Sequence, residues 1–411
     1  MSLFSPLFLP NGERIPNRIA KAAMEENMAD AAHAPSPALI KLYHAWGEGG
    51  AGLIITGNVM VDARAMTGPA GVVLEDDQHL EQFQSWAQAG RAQGGQIWIQ
   101  INHPGRQMPA NMQQETLAPS AVALKLGAQS NLFAVPRAMT AADIQDVQQR
   151  FIKTALLAER AGFTGVEVHA AHGYLLSQFL SPLTNQRNDQ WGGSLENRAR
   201  LLLEIVRGIK ASVGAAFAVA VKLNAADFQR GGFSAEEAQH VVQMLGDLKV
   251  DLVELSGGNY EAPAMMGVLR DEKTVAREAY FLNFAQAISK VAPMPLMVTG
   301  GIKRRSVAEN VITSGIAMVG MATSLALDPA LPREWQVGKD DAPDLKFIGW
   351  KNKVMAASAH MSAVRYQLVR IGNGRATKPG ISPLWALLTA QLEARCQTKR
   401  YRNWISRIIS H

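Results

Sequence analysis

Cysteine is almost absent from this chain, because Cys396 is the only one among its 411 residues. One thiol cannot form a disulfide within the chain, and it cannot supply the thiolates of an iron–sulfur cluster or a cysteine-ligated zinc site. The sequence also lacks an apolar run of about 18 residues, and its first residues do not show a basic segment followed by a long apolar one. We therefore expect a soluble, unexported, cytoplasmic protein.

The net positive charge of the chain is confined to its C-terminal end. The formal net charge is +6, but residues 331–411 alone hold 14 Lys and Arg against 5 Asp and Glu, a net +9 that leaves −3 for residues 1–330. No basic-aromatic groove, zinc-finger or helix-turn-helix pattern accompanies this basic end. We expect no nucleic-acid partner.

Short apolar segments rich in β-branched residues recur through the first 320 residues, each followed by a longer segment with helical spacing. This alternation is typical of parallel strands joined by crossover helices. The predicted strands are Arg18–Met24, Gly52–Val61, Gln96–His103, Gly165–Ala170, Ala216–Asn224, Asp251–Ser256, Leu296–Thr299 and Ile316–Met321. Eight such units predict an α/β fold, a (β/α)8 TIM barrel. An open doubly wound sheet is disfavoured because no GxGxxG pattern follows the first strand.

The segments around these strands complete the predicted barrel. The predicted helices are Pro37–Gly47, Leu80–Ala92, Ala141–Ala161, Ser194–Val213, Ser234–Leu248, Phe281–Lys290 and Val307–Thr313, with Phe347–Val369 as the eighth barrel helix. A turn signal at Pro10-Asn11-Gly12 predicts a small N-terminal hairpin that caps the barrel. We expect one barrel over residues 1–390 and a basic, helical C-terminal tail over residues 391–411.

Titratable side chains gather at the end of the predicted fourth strand. His169, His172 and Tyr174 follow one another within five residues of it. Active sites of α/β barrels lie at the C-terminal ends of the strands. Three polar, titratable groups at one such end therefore predict an active site.

The segment that begins at His172 carries a longer signature. The run HGYLLSQFLSPLTNQRNDQWGGSLENR resembles the signature of the old yellow enzyme family, including the barrel domain of bacterial 2,4-dienoyl-CoA reductases. The segments NRIAKAAM, QINHPGRQ, VKLNAADFQRGG and VTGGI extend the resemblance over roughly residues 1–385. It implies an FMN-dependent oxidoreductase that passes hydride from NADH or NADPH, through the flavin, to an electron-poor alkene.

The resemblance also implies roles for individual residues. His169 and His172 are expected to donate hydrogen bonds to an oxygen of the ligand above the flavin, and Tyr174 is expected to protonate the α-carbon. Gln100 and Lys222 are expected to contact the flavin, the amide at its pyrimidine edge and the cation near N1 and O2. The other expected cofactor positions are Ala22, Ala23, Met24, Glu25, Gly57, Gly300, Gly301, Ala322 and Thr323. The expected walls of the substrate pocket are Tyr260, Arg277 and Tyr280.

Two positions depart from the family. Glu25 stands where the family has Thr or Cys, and an ionised carboxylate there would repel the electrons added to the flavin. We therefore expect either a raised pKa for Glu25 or a side chain that points elsewhere. Ala322 and Thr323 stand where the family has Gly-Arg, the arginine holding the phosphate. The candidates for the missing charge are Lys303, Arg304 and Arg305.

Other functions and partners stay open at this point. A metal-dependent barrel hydrolase could use His103, His169 and His172 as ligands with Asp227 or Glu167 nearby, although His103 is better explained by the sharp His-Pro turn. An FMN-binding barrel that serves as a sensor is a second alternative. The tail Ala394–Ile409 mixes cations with apolar residues at helical spacing. We expect it to dock on its own barrel or on a second subunit of a homo-oligomer, in preference to a membrane surface.

Overall fold

The computed structural model describes residues 2–263, 278–340, 343–345 and 348–409. Its strands are β1 (Leu7–Phe8), β2 (Arg14–Ile15), β3 (Ile19–Lys21), β4 (Leu53–Met60), β5 (Val72–Val73), β6 (Gln96–Asn102), β7 (Leu117–Ala118), β8 (Arg137–Ala138), β9 (Gly165–Ala170), β10 (Ala218–Asn224), β11 (Leu252–Ser256), β12 (Leu296–Thr299) and β13 (Met318–Met321).

Eight of these strands form a closed parallel barrel. Their order around the barrel is β3, β13, β12, β11, β10, β9, β6 and β4, and β4 pairs again with β3. The closing pairs bring Met321 opposite Lys21, and Lys21 opposite Ile54. The predicted (β/α)8 barrel is therefore confirmed. Strands β9 and β12 have the predicted bounds, whereas β3 is shorter than the predicted Arg18–Met24.

Helices cover the outside of the barrel. They are α1 (Pro37–Glu48), α2 (Leu80–Gly90), α3 (Ala141–Arg160), α4 (Leu175–Leu180), α5 (Leu195–Ser212), α6 (Ala235–Asp247), α7 (Leu282–Ile288), α8 (Arg305–Thr313), α9 (Thr323–Leu327), α10 (Leu331–Gln336), α11 (Lys353–Gly372) and α12 (Pro383–Ile409). The predicted eighth barrel helix, Phe347–Val369, is present as α11, but its predicted start was wrong, because α11 begins at Lys353. The side chain of Asn352 caps it by accepting a hydrogen bond from the Met355 N–H at 3.1 Å.

The helix starts follow from local sequence. Ser36, Thr140, Ser194 and Ser234 each precede a helix, and each side-chain oxygen accepts a hydrogen bond from the N–H three residues later. Such a cap satisfies one of the backbone donors that a helix leaves without a partner in its first turn. The sequence thus fixes where α1, α3, α5 and α6 begin.

The barrel interior is apolar at the N-terminal ends of the strands, and the N-terminal hairpin closes this end. Strands β1 and β2 pair antiparallel with Leu7 opposite Ile15. Both side chains pack against residues of the barrel interior, including Trp98, Ala220 and Leu252. The predicted hairpin cap is confirmed, and the polar chemistry is left to the opposite end of the barrel.

The basic tail docks on the barrel in this structure. It belongs to helix α12, so the predicted boundary after residue 390 falls inside a helix. The buried Tyr401 donates a hydrogen bond to the carbonyl of Ala63 at 2.9 Å. The ring of Trp404 lies 4.1 Å from the ring of His33, centroid to centroid. Within the described ranges, no helix has the length and apolarity needed to cross a membrane.

Candidate active site

His169 lies one residue before the end of β9, and its side chain has a defined proton position. Its Nδ1 atom accepts a hydrogen bond from the backbone N–H of Ala171 at 3.2 Å. The proton of the neutral ring is therefore on Nε2. Burial lowers the pKa of His169 well below its ordinary value, and the nearby His172 and Lys222 lower it further. At neutral pH the imidazole is uncharged and is a donor through Nε2.

His172 is held by three separate polar contacts. Its φ of 61° is in the left-handed region, and its backbone N–H donates to the Asn224 side chain at 3.0 Å. Its carbonyl accepts a hydrogen bond from Gln107 at 3.0 Å, and its Nε2 lies 2.8 Å from Oγ of Ser256. Burial also lowers the pKa of His172 well below its ordinary value. The two histidine rings meet edge to face, with centroids 5.1 Å apart, so both imidazoles are neutral and adjacent.

Tyr174 completes the cluster. Its ring is edge-on to His169, with centroids 4.9 Å apart, and its hydroxyl lies 3.1 Å from the hydroxyl of Tyr260. Burial raises the pKa of Tyr174 well above its ordinary value, and Tyr260 and Glu25 raise it further. The phenol is therefore protonated at neutral pH, as a proton donor must be.

The turn after β9 is pinned to the turn after β6 by one amide side chain. Gln178 donates to the carbonyls of Pro104 at 3.0 Å and Gly173 at 2.7 Å, and it accepts a hydrogen bond from the Arg106 N–H at 3.1 Å. A bidentate amide of this kind fixes the two turns relative to each other. The positions of His172 and Tyr174 therefore depend on the neighbouring strand as well as on their own.

His103 has the turn role predicted for it. Its Nδ1 accepts a hydrogen bond from the Gly105 N–H at 3.1 Å, and burial lowers the pKa of His103 to about 4. Asp227, another residue of the alternative metal site, accepts a hydrogen bond from the Phe233 N–H at 3.0 Å. Across the described ranges, no group of three His, Cys, Asp or Glu side chains is arranged to hold a metal ion. The geometry does not form the alternative metal site.

A layer of polar side chains fills the barrel interior beneath the histidines. Gln100 donates a hydrogen bond to Glu167 at 3.0 Å, and Lys222 forms an ion pair with Glu254 at 2.6 Å. All four residues are buried. Burial, with the neighbouring Glu254, raises the pKa of Glu167 well above its ordinary value. Burial alone would lower the pKa of Lys222, but Glu254 and Glu167 raise it above its ordinary value, so this lysine is charged.

Glu25 satisfies both expectations that the sequence raised. Its carboxylate accepts a hydrogen bond from Oγ1 of Thr67 at 2.6 Å, so the side chain is directed at the loop after β4. Burial raises the pKa of Glu25, although hydrogen bonds from Thr67 and Asn27 and the charge of Arg365 oppose the rise. The change from the family's Thr or Cys thus introduces an acid with a raised pKa and partners of its own.

The end of β3 and the facing part of β4 approach each other closely. The Ala22 N–H donates to the Met321 carbonyl at 2.9 Å, and the Gly57 N–H donates to the hydroxyl of Tyr43 at 3.0 Å. A Cβ on Gly57 would lie 2.0 Å from the carbonyl oxygen of Met24. Gly57 is therefore required by packing, and its N–H already has a partner. The partly exposed positions at this strand end are Ala23, Met24 and Glu25.

The predicted phosphate end lies after β12 and β13. Gly300 and Gly301 have φ values of 142° and 69°, which favour glycine. The ring of Tyr280 packs on them, and a Cβ on Gly301 would lie 2.5 Å from it. Ala322 and Thr323 form the beginning of the short helix α9. The backbone at this end has the small residues and helix starts that suit a phosphate.

The three candidate cations at this end all have acidic partners. The N–H groups of Lys303 and Arg304 donate to the carboxylate of Glu278 at 2.9 and 3.0 Å, and the Arg304 side chain pairs with the same carboxylate at 2.6 Å. The side-chain pairs of the other two are Lys303 with Asp344 and Arg305 with Glu309. Which of them contributes charge to a phosphate stays a prediction.

Of the three predicted pocket residues, Tyr260 and Tyr280 have different neighbours. Tyr260 contacts Tyr174, and its ring centroid is 6.0 Å from that of Phe133. Tyr280 contacts the glycines of the phosphate end instead. Arg277 lies outside the described residues. A role in substrate contact therefore stays a prediction for all three, and the geometry supports it best for Tyr260.

Polar atoms without partners mark the mouth of the barrel. They include Oγ1 of Thr299, Oδ1 of Asn58 and both side-chain polar atoms of Asn102. Buried polar atoms are rarely left without hydrogen bonds, and these lie on three of the barrel strands near their C-terminal ends. Together with the glycines after β12 and the lysine of the interior layer, they fit a polar, anionic cofactor such as FMN.

Several residues of the site escaped the sequence analysis. Asn224 and Ser256 are the last residues of β10 and β11, so their place at strand ends could have marked them. Asn58 lies within an apolar run, and Gln107 lies in a loop. Neither has a local signal that separates it from ordinary polar residues.

Residues 2–342 match the family described as NADH:flavin oxidoreductase / NADH oxidase. The chain belongs to that family. The predicted likeness to old yellow enzymes, and with it an oxidoreductase that uses FMN and a nicotinamide donor, is confirmed.

Individual relatives of this flavin oxidoreductase agree with the family match. The NADH-dependent flavin oxidoreductase iliE of Hypocrea jecorina is 35% identical over 350 residues, which are 80% of this chain and 87% of that protein. The protein of the same name from Neonectria sp. is 38% identical over 353 residues, but the chain spans 46% of its length. The structure of the old yellow enzyme homologue from Zymomonas mobilis matches with a TM-score of 0.69 and 26% identity, over 83% of this chain and 94% of that one.

Proposed function

We propose that this flavin oxidoreductase reduces electron-poor alkenes, such as enones or nitroalkenes, with NADH as the preferred donor. The observation that carries the proposal is the cluster at the end of β9, where two neutral imidazoles and a protonated phenol meet within about 5 Å, ring to ring. The names of the relatives, which are NADH-dependent enzymes, support the choice of donor.

The imidazoles of His169 and His172 hold the electron-withdrawing group of the alkene. His169 donates through Nε2, because the Ala171 N–H fixes the tautomer. The Ser256 hydroxyl lies 2.8 Å from Nε2 of His172. When this hydroxyl donates a hydrogen bond to Nε2, the proton of the neutral ring is on Nδ1, and His172 donates through Nδ1. Two neutral donors aimed at one oxygen stabilise the negative charge that develops there as the β-carbon is reduced.

Tyr174 supplies the proton for the α-carbon. The phenol is buried against His169 and keeps its proton at neutral pH because burial raises its pKa. General acids of this kind typically contribute about 10² to 10⁴ in rate.

Other parts of the chain hold the cofactor. When bound, FMN accepts hydride from the nicotinamide and passes it to the alkene. Lys222, on the interior layer, provides the positive charge that favours the reduced cofactor, and Gln100 offers its side-chain carbonyl beside it. The glycines after β12 and the start of α9 hold the phosphate through backbone N–H groups. The residues proposed for cofactor contact are Ala22, Ala23, Met24, Glu25, Gly57, Gln100, Lys222, Gly300, Gly301, Ala322 and Thr323.

The experiment that tests this function removes both imidazoles. In the double variant His169→Ala/His172→Ala we expect FMN content to stay near one per chain, and turnover of 2-cyclohexenone with NADH to fall by at least about 10². The flavin spectrum should no longer shift on addition of para-hydroxybenzaldehyde. His240→Ala, an exposed histidine on α6, is the matched control and should behave as wild type.

The same assay separates the proposal from its alternative. If wild-type protein binds FMN but turns over neither the enone nor a nitroalkene with NADH or NADPH, the barrel is not an alkene reductase and the sensor function is favoured. If the double variant binds the phenol with wild-type affinity, the role of the histidine pair is wrong.

A further inference from the structure

The hydroxyl oxygen of Tyr174 has a hydroxyl neighbour from another part of the barrel. Tyr260, in the loop after β11, places its own hydroxyl 3.1 Å away. The two tyrosines are 86 residues apart in sequence, so the fold brings the loops after β9 and β11 together at these two oxygens.

The chemistry of a phenol decides how this contact is used. Its oxygen has one hydrogen to give and can accept from two donors. The O–H of Tyr260 can be one of these donors. If it donates, the hydrogen of Tyr174 is left free to point at a ligand beside the histidines. If Tyr174 donated to Tyr260 instead, its proton would be turned away from the ligand.

The surroundings otherwise oppose a negative charge on Tyr174. Burial, the neighbouring Tyr260 and the carboxyl group of Glu25 all raise its pKa, and the adjacent imidazoles are neutral. Lys222 carries the nearby positive charge, but it is paired with Glu254 at 2.6 Å in the interior layer. A phenolate left on Tyr174 is therefore unfavourable, and the O–H of Tyr260 is the neighbouring group placed to return a proton to it.

We propose that Tyr260 is a positioning residue that orients the proton of Tyr174 and replaces it after it has left. The inference rests on the proposed function. In this step the O–H bond of Tyr174 breaks and a C–H bond forms at the α-carbon of the enolate, while the O–H electron pair stays on the phenol oxygen. Tyr260, which is partly exposed, then relays a proton from water to restore the phenol.

The experiment measures the two half-reactions separately by stopped flow. Tyr260→Phe should slow reoxidation of the NADH-reduced holoenzyme by 2-cyclohexenone about 10-fold, the loss expected for one hydrogen bond. Reduction by NADH should be unchanged, and so should reoxidation by a nitroalkene, whose product can leave without protonation on carbon. Tyr401→Phe removes another buried, hydrogen-bonded phenol, remote from the site, and is the matched control.

A merely structural role is distinguished by the Tyr174→Phe background. If Tyr260 acts through the phenol oxygen, its substitution should have no further effect on enone reoxidation once that oxygen is gone. Equal slowing in that background, or equal slowing with the nitroalkene, would overturn the inference. If Tyr174→Phe alone leaves enone reoxidation at the wild-type rate, the proposed proton donor is wrong, which is a separate result.

Discussion

Two buried lysines, Lys21 and Lys222, show how the two sides of the barrel wall differ. Lys21 contacts Tyr43 and Trp46 of the outer helix α1, donates to the Ile55 carbonyl at 2.8 Å, and lies 3.4 Å from Glu26. Lys222 lies in the barrel interior at 2.6 Å from Glu254.

Burial lowers the pKa of Lys21 to about 8, because its carboxylate partner is too distant to compensate fully. Lys222 keeps its charge, since the closer Glu254 and Glu167 raise its pKa. Depth of burial therefore does not separate the two lysines. The distance to the acid and the side of the barrel wall distinguish Lys21 from Lys222, the lysine proposed to contact the cofactor.

The largest expected effect concerns stability on the outer side. Lys21→Met leaves the buried Glu26 without its cation, and breaking a buried pair in this way typically costs about 3–5 kcal/mol. Chemical denaturation of holoenzyme at fixed FMN concentration measures the loss. Adding Glu26→Gln should recover part of it. A loss below about 1 kcal/mol would mean that Lys21 is as dispensable as a surface residue.

On the inner side we expect a smaller effect, and one on rate. Lys222→Met removes the cation of the interior layer, and the rate of flavin reduction by NADH should fall by about 10². Lys222→Arg keeps the charge and should retain most of the rate. Stopped-flow absorbance follows the reaction, and unfolding curves check that the variants fold. Equal rates for Met and Arg variants would contradict a role for the charge.

The smallest effect is on the pH dependence of stability. Between pH 8 and 10.5 folded Lys21 has lost its proton while the unfolded chain keeps it, so stability should rise with pH in that window, by at most about 1.4 kcal/mol per unit. For Lys222, whose pKa is raised, the stabilisation is present below 10.5 and is lost only as pH rises through the higher folded value. Unfolding free energies of wild type minus each methionine variant should rise across the window for Lys21 and stay flat for Lys222. A flat profile for Lys21 would remove the distinction.

The features that could be predicted from sequence are those with a local signal. The periodic pattern predicted β9 and β12 with their observed bounds, and the clustering of His169, His172 and Tyr174 marked the site. Serine and threonine caps likewise predicted where helices begin. These features depend on residues a few positions apart, so a single sequence contains them.

The features that could not be predicted depend on pairs distant in sequence. Tyr174 and Tyr260 are 86 residues apart, and Glu25 meets Thr67 across 42 residues. Tyr280 packs on Gly300 and Gly301, from which a helix and a strand separate it along the chain. The residue types alone do not predict such contacts.

The pairing of β13 with β3 has a consequence for synthesis. Residues near position 20 pair with residues near position 320, so the barrel cannot close until the later residues have been synthesised. At about 5–20 residues per second, a ribosome needs roughly 15–60 s to make the intervening chain. During that time β3 lacks one neighbour, and an unpaired strand edge invites association with other chains. Yield of this protein in cells should therefore depend on translation speed and chaperone supply more than its final stability suggests.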